Sequence, residues 1–462
     1  MFGESSNKKE KMNIIIVGCG RVGSTLVEQL SKEGNNITII DKDSDVIESL
    51  TNLYDVMGVI GNGATYSVQM EAGIEKTNLF IAVTESDELN LLCCTVAKRV
   101  SNCSAIARVR TPEYSKEAAY LKEKLGLAMI INPDLESSKE IARILALPSA
   151  LEVNSFAHGQ AELIKYKVPA DSMLDDLAIM NLSKVVSQQV LICAIEREGE
   201  VHIPSGNFII KEGDIITFVA TRKQARKFFL ALGSKVKHVR DCMIIGGGKT
   251  THYLADQLLH AGINVKIIEK KKKRCEELSA LLPKAIIING DGTNEELLRE
   301  EGIETIESFV PLTGIDEENI MLTLYARQVS PAKVITKINH INFKNVINNL
   351  DLGSVIYPRY LTSEAIVAYA RAKKDSLGSN IETLYHLFDS RVEAIEFVVR
   401  SDSKVINTPL MDMNLKKNLL IAFINRNGSI IIPSGQDCIQ PGDTVMIVTT
   451  HTGFNDIVDI LE

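Results

Sequence analysis

The sequence predicts an α/β protein made of two tandem Rossmann-like parallel-sheet domains, each followed by a small α+β lobe. Three observations predict it. Short apolar runs alternate with amphipathic ones, glycine-rich turns sit where an apolar run gives way to an amphipathic one, and the second half of the chain repeats the first. Short apolar strands separated by helices imply a parallel sheet covered on both faces.

The repeat holds one register over most of the 462 residues. Val17-Gly18-Cys19-Gly20 returns as Ile245-Gly246-Gly247-Gly248, and Asp41 as Glu269, both 228 positions later. Gly61-Asn62-Gly63-Ala64-Thr65 returns roughly as Asn289-Gly290-Asp291-Gly292-Thr293. Thr84 and Asn90 match Thr313 and Asn319. Farther on, Ile203-Pro204-Ser205-Gly206 matches Ile432-Pro433-Ser434-Gly435, and Gly213-Asp214 matches Gly442-Asp443. A repeat of this length marks a duplicated structural unit.

Within the first copy, strands are expected at 12–17, 36–40, 55–60, 78–83, 105–109 and 128–131, with helices at about 22–33 and 88–99. Asp87 and Glu88 read as capping the second of these helices. Residues 134–147 form an amphipathic helix with Ile141, Ile144 and Leu145 on one side, stopped by Pro148; its counterpart covers 360–371. These two helices are candidates for packing one copy on the other, and the rival reading packs each within its own copy. The small lobe shows strands at 190–194, 200–203 and 215–220, then a closing helix holding Phe228, Phe229 and Leu232. At about 80 residues it is near the lower limit for a free-standing core, so it should pack on a dimer partner or on its neighbour. The expected domains are a flexible extension at 1–11, Rossmann-like domains at 12–148 and 238–372, and small lobes at 149–232 and 378–462.

Composition narrows the function. A formal net charge of −8 argues against nucleic-acid binding, which rewards excess Lys and Arg. No segment approaches the ~18 apolar residues that span a bilayer, and the run Ile14–Val17 is too short for a signal-peptide core. The eight cysteines show no CxxC pair, which fits a reduced cytosolic chain without a metal site.

The chemistry concentrates at the glycine turns. Gly18-x-Gly20-x-x-Gly23 follows a strand and opens a helix, and Asp41 ends the next strand eighteen residues later. In this pattern Gly18 permits the tight turn, Gly20 lets a pyrophosphate approach the backbone, and Gly23 lets helix pack on strand. The helix N-terminus offers N–H donors, and Asp41 accepts from ribose hydroxyls. The rival is a tight turn that binds nothing. Arg21 lies where a guanidinium reaches phosphate. Thr84 and Arg108 end strands on the carboxyl edge, where open α/β sheets bind ligands. The second copy keeps Gly246, Gly248 and Glu269, but has Thr251 at the third glycine. Its Lys249-Thr250-Thr251 lacks the spacer of a phosphate-binding Walker loop. The basic run Lys270 to Arg274 reads as a solvated helix start, with a 2′-phosphate partner as the alternative. No proton-handling residue recurs between copies: His158 and His202 lie in the first lobe, and the partner of His202 is Ile431. This argues for binding without turnover.

Taken together, these motifs resemble the TrkA family of tandem RCK (regulator of potassium conductance) subunits over residues 12–462. The resemblance implies binding of NAD(H), and in many members ATP or ADP, that changes a homo-oligomeric ring, expected to be a tetramer. That ring would lie in the cytoplasm on the inner face of the membrane and gate a membrane potassium-translocating subunit. By position, Gly18, Cys19, Gly20, Arg21, Val22 and Gly23 would hold phosphates and Asp41 the ribose. Asn62, Ala64 and Thr84 would serve the adenosine side, and Arg108 a phosphate. Gly246, Gly248, Lys249, Glu269, Asp291, Gly292, Thr313 and Lys337 would do the same in copy two. The implied protein is not an enzyme. The alternatives are an NAD-linked oxidoreductase and a regulator of another cation transporter.

Overall fold

The computed structural model describes residues 11–186, 190–233, 239–339, 346–347, 350–374, 380–388 and 390–462. The expected extension, apart from Lys11, lies outside these residues, as do the expected domain starts at 238 and 378. The chain divides into two compact units. Unit 1 holds residues 1–133 and 359–379, and unit 2 holds 134–358 and 380–462.

Unit 1 is built on a six-stranded parallel sheet of order β3-β2-β1-β4-β5-β6. Its strands are β1 (Asn13–Val17), β2 (Asn36–Asp41), β3 (Met57–Ile60), β4 (Leu79–Ala82), β5 (Ser104–Arg108) and β6 (Met129–Ile131). β1 is buried from Ile14 to Val17, as a central strand covered on both faces must be. The helix Arg21–Lys32 lays Val22, Leu26, Val27 and Leu30 on the sheet, the apolar stripe that its spacing announces. The reversal of strand order at β1/β4 opens a crevice at the carboxyl edge.

Unit 2 repeats this sheet as β14-β13-β12-β15-β16-β17. These strands are β12 (Asp241–Ile245), β13 (Asn264–Glu269), β14 (Ile286–Asn289), β15 (Ser308–Pro311), β16 (Lys333–Lys337) and β17 (Ser354–Ile356). It also holds both small lobes. The first is β10-β9-β11-β8-β7, from β7 (Glu152–Phe156), β8 (Ala161–Lys167), β9 (Leu191–Arg197), β10 (Glu200–His202) and β11 (Ile215–Ala220). The second is β18-β19-β22-β20-β21, from β18 (Ile381–Leu387), β19 (Val392–Val398), β20 (Leu419–Arg426), β21 (Ser429–Ile431) and β22 (Thr444–Thr449). The hairpin β7–β8 had no strand reading in the sequence, because its apolar residues Val153, Phe156, Leu163 and Ile164 alternate only loosely with polar ones.

The lobes pack on each other rather than standing alone. Phe156, Leu163 and Val219 share one core with Val392, Phe423 and Val448. Phe156 meets Tyr385 edge-on at 5.0 Å, and the Ala157 N–H donates to the Glu396 carboxylate at 3.0 Å. Arg391 of the second lobe bonds the Gly199 carbonyl and Glu196 of the first. Each lobe therefore completes a core that neither is large enough to build by itself.

The two amphipathic helices change copies. The helix Pro133–Ala146 belongs to unit 2, where the Thr250 hydroxyl donates to Asp134 Oδ1 at 2.6 Å and Gln257 Nε2 donates to Ser138 Oγ at 2.7 Å. The helix Pro358–Lys374, from Arg359 onward, belongs to unit 1. There Arg371 Nε donates to Glu33 Oε1 at 3.0 Å, and Tyr369 Oη and Lys373 reach Ser104 at the start of β5. Each helix is thus bonded to the Rossmann-like part of the other copy.

Two titratable groups of unit 2 are shifted by desolvation, Glu140 on the first of these helices and Lys333 at the start of β16. Burial, and then the nearby Glu152 carboxylate, push Glu140 up to about 8. Burial holds Lys333 down to about 7 while its ammonium reaches the Ala150 carbonyl. The folded state thus favours neutral Glu140. Its contribution is complete below the ordinary value of 4.5 and is lost as pH rises through about 8. Glu140→Gln should match the wild type near pH 5 and exceed it near pH 8 by roughly 3 kcal/mol, read from denaturant unfolding at both pH values. Arg371→Ala should cost about 3 kcal/mol in the same assay, because it removes one partner of a largely buried ion pair.

Candidate functional site

Three glycines of the first loop have three different reasons to be glycine. Gly18 has φ +89°, and a Cβ there would lie 2.7 Å from the Thr84 backbone nitrogen. A Cβ on Gly23 would sit 2.0 Å from the Gly18 carbonyl oxygen, so helix and strand meet there backbone to backbone. Gly20 has φ −65°, and a Cβ there would meet nothing within 4 Å. The protein interior does not demand glycine at position 20, and the space above it is open. Gly248, its counterpart, is open in the same way.

The acids lie beside these loops. Asp41 Oδ2 accepts from the Cys19 N–H at 2.6 Å, and Oδ1 accepts from the Asp43 N–H at 3.1 Å. Glu269 repeats this, with Oε2 on the Gly247 N–H at 2.6 Å and Oε1 on the Lys271 N–H at 2.7 Å. Each carboxylate is thus aimed along the strand end toward the glycine turn. Burial, and then Asp41, push the Cys19 thiol up to about 12, which leaves it an inert packing group.

On the other side of the turn, Thr84 and Arg108 are joined by a residue the motif reading passed over. Asn90 Oδ1 accepts from both the N–H and the hydroxyl of Thr84 at 2.7 Å. Its Nδ2 donates to the carbonyls of Thr84 at 3.0 Å and Arg108 at 2.9 Å. The Arg108 guanidinium also donates to the Thr84 carbonyl. Copy two reproduces the set: Asn319 accepts from Thr313 and donates to the Lys337 carbonyl at 3.0 Å, and Lys337 Nζ donates to the Leu312 carbonyl at 3.2 Å. The signal for this clamp was present, since Asn90 and Asn319 stay in register between copies. Asp87 does not cap its helix. Ser86 does, accepting from the Leu89 N–H at 3.1 Å, while buried Asp87 accepts from the N–H groups of Arg110 and Thr111.

The turn after the third strand closes the floor. The Gly61 N–H donates to the Asp41 carbonyl, and a Cβ on Gly63 would lie 2.3 Å from Val17 Cγ1. Gly290 and Gly292 make the same approaches to Glu269 and Ile245, so the copies register here one residue later than the linear repeat suggested. Asn62 Oδ1 accepts from the Ala64 N–H at 3.1 Å. Asp291 Oδ1 accepts from Thr293, and Oδ2 takes the Lys270 ammonium at 2.7 Å, which with the Thr293 bonds holds this carboxyl down to about 2. Arg21 is exposed, and among the described residues no side-chain partner holds it. Among the described residues, too, no helix is long and apolar enough to cross a membrane, and no cluster of His, Cys, Asp and Glu is arranged to hold a metal ion. The His202 ring packs 5.5 Å from Phe208 in the first lobe; the side chain of His158 lies outside the described parts.

The third glycine is replaced without losing the turn. Thr251 is fully buried, and its hydroxyl donates to the Gly246 carbonyl at 2.6 Å. A hydrogen bond therefore occupies the place where copy one has a backbone contact.

Family comparisons cover both copies of the repeat. The TrkA-N domain description matches residues 14–133 and 242–358, and the TrkA-C domain description matches 163–233 and 394–462. The chain belongs to the TrkA family. Trk system potassium uptake protein TrkA homolog 1 of Methanosarcina mazei is 30% identical over 454 residues, covering 96% of this chain and 99% of that protein. TrkA of Haemophilus influenzae is 31% identical over 443 residues, covering 94% and 95%. Among solved structures, the GsuK channel bound to NAD matches with TM-score 0.62 at 15% identity, covering 96% of this chain and 77% of that one. The GsuK RCK domain matches equally well and is itself covered to 93%. At that identity the match speaks for the fold, and it extends over both copies of the TrkA-family unit.

The two kinds of glycine should separate in mutants. Gly23→Ala should lose about 3 kcal/mol or more of unit 1 stability in thermal unfolding, whereas Gly20→Ala should leave the melting temperature within about a degree.

Proposed function

We propose that this chain is a nucleotide-binding regulatory subunit of a potassium-uptake system, acting in the cytoplasm on the inner face of the membrane. Its ligands are NAD(H) and, at one or both sites, ATP or ADP. Its partner is a membrane potassium-translocating subunit, and its working form is a homo-oligomeric ring, a tetramer. The observation that carries the reading is the unfilled space at Gly20 and again at Gly248, each facing a helix N-terminus beside a strand-end carboxylate. Support for the potassium system comes from the family and from relatives named as Trk potassium-uptake proteins.

The residues have separable tasks. The N–H groups that open the helices after Gly20 and Gly248, with Arg21 and Lys249, take phosphate oxygens. Asp41 and Glu269 keep lone pairs for ribose hydroxyls while their backbone bonds hold them in place. Asn62, Ala64 and Thr84 line the adenosine side and Arg108 a phosphate; Asp291, Gly292, Thr313 and Lys337 do so in copy two. The chain is not an enzyme: it converts nothing and acts by a population shift. A ligand that binds one ring geometry more tightly moves the equilibrium by its differential affinity and no further.

Isothermal titration calorimetry of the purified chain against NADH, NAD, ATP and ADP tests this. Saturable binding is expected, weakened about tenfold or more at one site by Asp41→Ala and at the other by Glu269→Ala. Gly20→Ala should weaken the first site as well. Failure of all four ligands to bind would overturn the proposal, and steady consumption of NADH with a substrate would favour an oxidoreductase.

A further inference from the structure

The two sites share a backbone but present opposite charge where the ribose would lie. After Asp41 the first copy continues Lys42-Asp43-Ser44-Asp45-Val46, so acids dominate the segment. After Glu269 the second continues Lys270-Lys271-Lys272-Lys273-Arg274, all basic. The sequence alone allowed a solvated helix start, and Lys271, Lys272 and Lys273 are indeed exposed. Arg274 is different. It is half-buried, its Nε donates to the Gly247 carbonyl at 2.7 Å, and its Nη1 donates to Glu277 at 2.9 Å. Gly247 is the residue whose N–H holds Glu269 Oε2. The guanidinium is therefore fastened to the carbonyl of the same loop residue whose N–H orients the ribose carboxylate. Val46, at the same place in copy one, brings no charge there.

Resting on the nucleotide reading above, we infer that the second site is built for an adenine nucleotide bearing a phosphomonoester on its ribose, with Arg274 as the residue that selects it. A planar guanidinium held beside a ribose site matches the geometry of a phosphate, and its fork tolerates a dianion that a lone carboxylate would repel. Lys270 adds a second cation within reach of the same end, now held by Asp291. The Gly247 carbonyl fixes the guanidinium before ligand arrives, so little rotamer freedom remains to be lost on binding. In the first copy Asp43 and Asp45 disfavour such a group, so the duplicated sites read different nucleotides.

The test uses the full chain carrying Asp41→Ala, which weakens the first site, titrated with AMP, 2′,5′-ADP and 3′,5′-ADP. A 2′,5′-ADP affinity at least about tenfold above that of AMP is expected for an arginine–phosphate contact. Preference for 3′,5′-ADP instead would place the same phosphomonoester on the neighbouring hydroxyl. Arg274→Val, which installs the residue of copy one, should bring the ratio of dissociation constants back to near one. Arg274→Lys should retain part of the preference. The melting temperature of each variant checks that it is folded. If AMP binds and neither bisphosphate is preferred, or if the preference survives Arg274→Val, this inference fails alone. If the Asp41→Ala chain binds no nucleotide, the nucleotide reading of the second site falls and this inference with it.

Discussion

At the carboxyl edge of the first sheet, the carbonyl of Gly18 lies so near the backbone of Gly23 that a single methyl group would overlap it at 2.0 Å. That contact sets the angle at which the helix Arg21–Lys32 leaves the sheet, and with it the direction of the free N–H groups at the helix start. Everything assembled around the crevice takes its position from this angle. Asp41 reaches the loop through the Cys19 N–H, and Thr84 backs against Gly18. Asn90 then ties Thr84, just beyond the end of β4, to Arg108, at the end of β5. The loop is held by its own backbone, so no side chain needs to enter the space over Gly20.

Copy two shows that the contact can be met in another way. Thr251 brings a hydroxyl where copy one has a hydrogen atom, and the bond to the Gly246 carbonyl turns a collision into an attraction. The hypothetical Cβ on Gly246 is correspondingly less crowded, at 3.1 Å from the nearest backbone atom, against 2.7 Å at Gly18. The turn is thus conserved as geometry while its chemistry drifts. The same drift, acting on the segment after the ribose acid, exchanged aspartates for lysines and placed Arg274 on the loop.

The exchange of amphipathic helices gives the duplication its mechanical meaning. Asp134 is fastened to Thr250, the second residue of the helix that opens at Gly248, and the helix carrying Asp134, Pro133–Ala146, leads directly into the first small lobe. A ligand seated at Gly248 therefore bears on an element that belongs by sequence to the other copy. The lobes in turn share one core through Phe156 and Phe423. Within unit 2, the Gly248 loop and the first lobe are thus linked through a helix bonded by the buried pair Asp134 and Thr250.

Much of this was legible in the chain itself. Alternating apolar runs, the duplicated register and the spacing from Gly18 to Asp41 determined the parallel sheets and placed both crevices, because those signals are local and each has one backbone solution. The strand pair β7–β8 was not legible, since its burial comes from the second lobe and leaves no clean alternation in its own residues. Nor could spacing tell that Gly20 is open while Gly23 is crowded, that Asp87 accepts from a distant loop while Ser86 caps the helix, or that Arg274 is tied to the Gly247 carbonyl. The partner of each amphipathic helix was likewise decided by tertiary structure alone. An apolar stripe specifies that a face must be buried, and only the competition between two nearly identical sheets settles which one buries it.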